Sequence, residues 1–244
     1  MPHKESNNQT AMTAQFIINE LLSVAEPEKA TFLQRFFKTG PGEYAEGDVF
    51  LGLVVPLVRS IAKANKGMPL PELQRLLESE YHEARLCALM ILTEQFKKAS
   101  ADERGVLYRF YLRNTERINN WDLVDLSCYA IVGLYLLDKD RLPLYELAES
   151  SNLWEQRIAM VSTYTFIRNG ELDDTFALAE KLMDHTHDLI HKAVGWMLRE
   201  AGKKDREALT AFLERNTTRM PRTALRYAIE HYPEDQRQYF LKKK

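Results

Sequence analysis

Turn-forming and cross-linking residues are scarce in this sequence. Across 244 residues there are 10 Gly and 9 Pro, too few for a fold built on tight turns. Asp-Gly is absent, and Asn169-Gly170, the one Asn-Gly pair, lies between two helical patterns rather than between strands. Two cysteines, Cys87 and Cys128, sit far apart inside apolar patterns, which argues against a disulfide framework and reads as two buried thiols in a reducing compartment. No apolar run approaches the ~20 residues of a membrane-spanning helix. The opening stretch from Met1 to Thr10 is polar, without the apolar segment of a signal peptide. These features predict a disordered lead-in over residues 1–10, a single domain over 11–244, and a cytoplasmic protein without membrane contact.

An excess of positive charge is also missing. The formal net charge is −2, which does not suit a generic nucleic-acid binder. The distribution is uneven, however: residues 185–244 carry 13 Lys+Arg against 8 Asp+Glu. A basic C-terminal portion fits a phosphate backbone, and it equally fits a tail of scattered solubilising charges.

What the sequence has in abundance is helical periodicity. Apolar stripes recur at three- and four-residue spacing, as in Leu86-Leu89-Met90-Leu92-Phe96, Ile158-Val161-Tyr164-Phe166 and Ile190-Val194-Met197-Leu198. Pro56, Pro143 and Pro221 suit first turns. Lys66-Gly67, Asn169-Gly170 and Gly202-Lys203-Lys204 read as short connections. A basic residue precedes Ala early in several helices: Arg85 to Ala88, Arg157 to Ala159, Lys192-Ala193 and Arg222 to Ala224. Helix starts fall about every 30–37 residues, the span of a HEAT-like hairpin. The fold class expected is therefore all-α, an α-α superhelix of stacked HEAT-like helical hairpins with a concave face. Cations repeated near helix N-termini would make that face a phosphate-binding surface. The Gly-rich stretch from Thr39 to Asp48 is too acidic to cradle phosphate and reads either as a mobile loop or as an inert connection.

Candidate chemistry concentrates in a few places. Asn119-Asn120-Trp121-Asp122 has the pattern of a helix start, with Asp122 complementing the dipole. Asp125 lies four residues after Trp121, so indole and carboxylate share a helix face between apolar neighbours. A carboxylate there is either a working group or an acid paired with a core-edge arginine. Trp154 stands one turn before Arg157, and Trp196 lies between Lys192 and Arg199. Gly195 within a helix costs about 1 kcal/mol relative to Ala, which points to close approach of a helix or a ligand. His185, His187 and His191 include an i,i+4 pair, but no His-Glu-x-x-His pattern accompanies them, and no metal is expected. Nucleophile elbow, kinase, dinucleotide and zinc-finger signatures are missing.

Trp121-Asp-x-Val-Asp125, Trp154-x-Gln-Arg157 and Gly195-Trp196-x-Leu-Arg-Glu200, in this order on successive repeats, resemble the AlkD-type DNA alkylation repair glycosylases. The resemblance is strongest from about residue 80 to 232. It implies that Trp121 and Trp196 flank the lesion, that Asp125 is the catalytic carboxylate and that Arg157 contacts the DNA backbone. It further implies excision of cationic alkylpurines such as 3-methyladenine and 7-methylguanine from duplex DNA, with no cofactor and no metal. Arg85, Lys192, Arg199 and Arg222 are the further DNA-binding candidates, and a self-contained array suits a monomer. Phe36 departs from the family pattern, standing where its members carry a Tyr. Two rival readings are a non-catalytic HEAT-like binder of damaged or branched DNA and a protein scaffold.

Overall fold

A computed structural model describes residues 12–243, so the expected lead-in over residues 1–10 lies outside the described residues. The chain divides into two compact units, the first ending at Gln95 and the second starting at Phe96. Both are helical. Among the described residues no strand forms, and Val49 and Tyr81 make a single isolated bridge. None of the helices in this region is long and apolar enough to cross a membrane.

The first unit contains α1 (Ala14–Ser23), α2 (Pro27–Phe36), α3 (Val55–Ala64), α4 (Leu70–Leu77) and most of α5 (His82–Lys98). Thr13 caps α1 by accepting from the Phe16 amide at 3.2 Å, and Pro56 lies in the first turn of α3, as the sequence predicts. α1 packs on α4 through its buried Ile17 and Leu21 and the Leu73, Leu76 and Leu77 face. The stretch from Thr39 to Asp48 is a chain of turns held by its own acids: Glu43 accepts from Gly40 N–H and Glu46 from Gly42 N–H, both at 2.9 Å. It leads into a polar core. Buried Glu83 accepts from the amides of Leu51, Gly52 and Leu53 at 2.9, 2.9 and 3.1 Å, tying that segment to α5. A buried carboxylate is tolerated because three backbone donors replace its water.

The second unit runs through α6 (Ala101–Arg113), α7 (Trp121–Cys128), a π turn (Tyr129–Gly133), α8 (Leu134–Leu136), α9 (Leu142–Glu149) and α10 (Leu153–Arg168). It continues with α11 (Asp173–Leu182), α12 (Asp188–Lys204), α13 (Arg206–Asn216), α14 (Arg222–Ala228) and α15 (Glu234–Lys242). One row of helices packs in sequence: α7 with its π turn on α10, α10 on α12, and α12 on α14. The intervening α9 and α11 pack against these and against each other, and α13 pairs with α12. Such alternation of hairpin partners is the arrangement a HEAT-like repeat requires. The Gly202-Lys203-Lys204 stretch, expected as a connection, is the last turn of α12, because Asp205 caps the next helix by accepting from Ala208 N–H at 2.9 Å.

Two glycines let the row close up. A Cβ on Gly195 would lie 2.5 Å from the Ala224 carbonyl oxygen and 2.5 Å from the Tyr227 Cβ of α14. A Cβ on Gly133 would lie 2.4 Å from the Ser162 carbonyl oxygen of α10. The pair Gly195–Ala224 has the same sequence separation as Gly133–Ser162, so a close helix contact recurs from one repeat to another. Between the two uses proposed for Gly195 from its helical cost, the structure selects the approach of a helix. Gly195→Ala therefore loses more by overpacking, about 1–3 kcal/mol, than the ~1 kcal/mol it gains in helix propensity. A fall in melting temperature of a few degrees by circular dichroism is the expected result, and an unchanged or raised value contradicts this packing.

Candidate functional site

The site begins with a helix start. Asn120 is fully buried and its side-chain oxygen accepts from the Trp121 amide at 2.8 Å, while Asp122 Oδ1 accepts from Leu123 N–H at 2.9 Å. Both act on the first turn of α7, where orphan amides need acceptors. Leu123 and Val124 turn inward, so Trp121 and Asp125 are left half-buried on the other side of the same helix.

Asp125 meets Arg157 of α10. Arg157 Nε donates to Asp125 Oδ1 at 2.8 Å and Nη2 donates to Oδ2 at 2.7 Å, a two-pronged ion pair. Arg157 Nη1 donates to the Leu189 carbonyl in the first turn of α12. One guanidinium thus joins three successive helices of the row. Arg157, the expected contact to the DNA backbone, is 5% exposed, and its guanidinium donates to Asp125 and Leu189 inside the protein. The Asp125 side chain keeps 19% exposure, with both of its oxygens engaged by Arg157. Burial pushes the Asp125 carboxyl above the ordinary aspartate value, and the Arg157 guanidinium pulls it back.

The π turn, α10 and α12 also carry a row of rings. Tyr129 meets Tyr164 of α10 edge-on, with centroids 5.5 Å apart, and Tyr164 lies 6.1 Å from Trp196 of α12. All three rings are half-buried. Tyr129 and Tyr164 were hidden in the apolar stripes of their helices. A usable signal was their spacing, Tyr129 four residues after Asp125 and Tyr164 seven after Arg157, which keeps them on the site's side of each helix. Trp154, by contrast, is a core residue at 7% exposure.

The remaining candidates scatter. Arg85 belongs to the first unit and is 1% exposed; its Nη2 donates to Asp48 Oδ1 at 2.6 Å and its Nη1 to the carbonyls of Ser79 and Glu80. Lys192 pairs with Asp188 at 2.8 Å in an exposed position. Arg199 pairs with Glu200 and Glu230. Arg222 is exposed and donates to the Leu241 carbonyl at 2.8 Å. The repeating basic residue therefore anchors carboxylates in α5 and α10 and reaches the surface only in α12 and α14. His187 caps α12 by accepting from Leu189 N–H, His185 accepts from His187 N–H, and the His191 ring bonds the His185 carbonyl. Among the described residues no group of three or more His, Cys, Asp or Glu forms a metal-ready cluster. Both thiols, Cys87 and Cys128, are buried and unbridged, and burial pushes Cys87 up to about 12.

A helical-hairpin array with a partly exposed aspartate held by a buried arginine defines the class of site. The model of the DNA alkylation repair enzyme family matches residues 17–232, and the chain belongs to that family. Membership makes it an enzyme of DNA repair, with DNA as its partner. In fold it is similar to a protein from Enterococcus faecalis described as a predicted DNA alkylation repair enzyme, at TM-score 0.64 and 18% identity. That likeness covers 86% of this chain and 97% of the other. None of the curated proteins compared with the chain matches it.

Replacing Arg157 by Met leaves Asp125 half-buried without its counter-charge. We expect a loss of about 3–5 kcal/mol of stability at neutral pH. Because the folded-state pKa of Asp125 lies above its ordinary value, ionising it removes stability as pH rises between the two, and that interval widens without Arg157. Urea denaturation at several pH values measures this, and a variant as stable as wild type at neutral pH contradicts the role of the pair.

Proposed function

We propose that the chain is a glycosylase that hydrolyses the N-glycosidic bond of cationic alkylated purines, such as 3-methyladenine and 7-methylguanine, in duplex DNA. The observation that carries this reading is the fixed, partly exposed Asp125 carboxylate on the same helix face as Trp121. Alkylation at N3 or N7 makes the purine cationic, so it leaves as a neutral base without protonation by a general acid. As the C1′–N bond breaks, its electron pair goes to the purine and positive charge develops on the sugar. A carboxylate held in place beforehand stabilises that charge without reorganising. Water then bonds to C1′ and gives a proton to Asp125 or to solvent.

Arg157 is a positioning residue in this scheme. Its two-pronged grip sets the Asp125 rotamer and favours the ionised carboxylate that the chemistry needs. The half-buried indoles of Trp121 and Trp196 supply faces that attract a cationic nucleotide by about 0.5–2 kcal/mol each, which favours the lesion over an uncharged purine. Backbone contacts fall to the exposed cations, with Lys192 and Arg222 exchanging internal partners for phosphate. The chemistry uses no cofactor and needs none, because the leaving group is already activated.

A non-catalytic role in binding damaged or branched DNA is favoured by one observation: both oxygens of Asp125 are engaged by Arg157. Base release separates the two. With methylated DNA, Asp125→Asn is expected to lower 7-methylguanine release by about 10²-fold or more while DNA binding persists. Trp121→Ala and Trp196→Ala should each lower it by about 2- to 30-fold. Equal release by wild type and Asp125→Asn would remove the carboxylate from the reaction. The acid limb of the wild-type rate should lie above the ordinary aspartate range, because Asp125 must be ionised and its pKa is raised by burial. A rate undiminished at pH values within that range overturns the assignment.

A further inference from the structure

One turn beyond Asp125 the π turn opens a groove of about 360 Å³ against the C-terminal end of α10. It is lined by Tyr129, Thr165, Arg168, Asn169 and Lys97, with Leu134 closing the apolar side. Among the described residues no acidic side chain lines it. The helix register slips beside the groove. The Tyr129 carbonyl accepts from Leu134 N–H, five residues on, and takes a second hydrogen bond from the Thr165 hydroxyl at 2.5 Å. Wide turns of this kind recur at functional positions because they re-aim side chains.

The lining has two chemistries. Arg168 is exposed and forms no ion pair among the described residues, which offers its guanidinium to an anion. Asn169 donates to the Thr165 carbonyl at 2.8 Å, which leaves its own side-chain oxygen as an acceptor at the rim. The Tyr129 ring supplies an aromatic surface continuous with Tyr164 and Trp196. Anion-binding donors beside an aromatic surface, in a volume near the lower end of the ~300–1,000 Å³ usual for ligand sites, suit one nucleotide rather than a base pair. The rise of one helical turn puts the groove only about 6 Å from Asp125 along α7.

We propose that this groove binds one unpaired nucleotide of the DNA beside the lesion, with its phosphate on Arg168 and its base against Tyr129. The proposal rests on DNA being the partner and not on the chemistry assigned to Asp125. By holding a nucleotide out of the stack, the groove would favour DNA that is already locally unpaired.

The test compares fluorescence-anisotropy binding of two duplexes of equal length at one salt concentration, one fully paired and one carrying a single unpaired nucleotide. Wild type should prefer the second by roughly 5-fold or more, the scale of one stacked base. Arg168→Glu and Tyr129→Leu should each reduce the preference to within about 2-fold, and Arg168→Glu tests it at a surface position whose replacement leaves the fold intact. No preference in wild type overturns the proposal, as does a preference that survives in both variants, since DNA flexibility alone would then explain it. Preference without any release of methylated bases retains the groove and removes the glycosylase reading. Base release without preference does the reverse.

Discussion

The guanidinium of Arg157 is the tie on which the docking of three helices in the second unit depends. It grips both oxygens of Asp125 on α7 and a backbone carbonyl in the first turn of α12, while sitting on α10 itself. Three consecutive helices are thereby fixed in register by one charged group. Burying that group is costly unless every donor finds an acceptor with good geometry. The flat fork of an arginine meets a carboxylate with two parallel bonds and still has a third direction free, which an ammonium group does not offer. The same contact therefore organises the fold and presents a carboxylate edge to the outside.

Close helix packing extends the effect along the row. Where Gly133 and Gly195 remove a Cβ, α10 reaches the π turn and α14 reaches α12 within van der Waals contact of backbone. Helices that near each other bring Tyr129, Tyr164 and Trp196 into edge and tilted ring contact rather than separating them with side chains. The glycosylase chemistry proposed above rests on that aromatic row together with the held carboxylate, one to attract a cationic base and the other to stabilise a cationic sugar. In the first unit the same sequence habit, an arginine early in an inner helix, serves another end: Arg85 holds Asp48, and Glu83 gathers three backbone amides beside it.

Much of this could be read from the chain alone. Three- and four-residue spacing of apolar side chains, few glycines and prolines, and basic residues recurring ahead of alanine dictated stacked helices, because only that arrangement buries one stripe of each. The Asn120 cap and the pairing of Trp121 with Asp125 on one face followed from helix geometry. Fate at the interior was harder to read. Arg85 and Arg157 share their sequence setting with Lys192 and Arg222, yet the first two are buried against carboxylates and the others are not.

The difference is physical. Periodicity states which face of a helix a residue occupies, but whether a partner helix covers that face depends on neighbours remote in sequence. Asp125 and Arg157 lie on different helices, and their ion pair exists only once α7 and α10 have docked. The π turn at Tyr129 and the close approach of Gly133 to Ser162 are likewise features that no local pattern announces. The hexapeptide from Asn120 to Asp125 thus determined a helix start and a shared face by itself. That its aspartate is held, raised in pKa by burial and left partly open was decided by tertiary structure, because charge, burial and access are properties of the assembled helices.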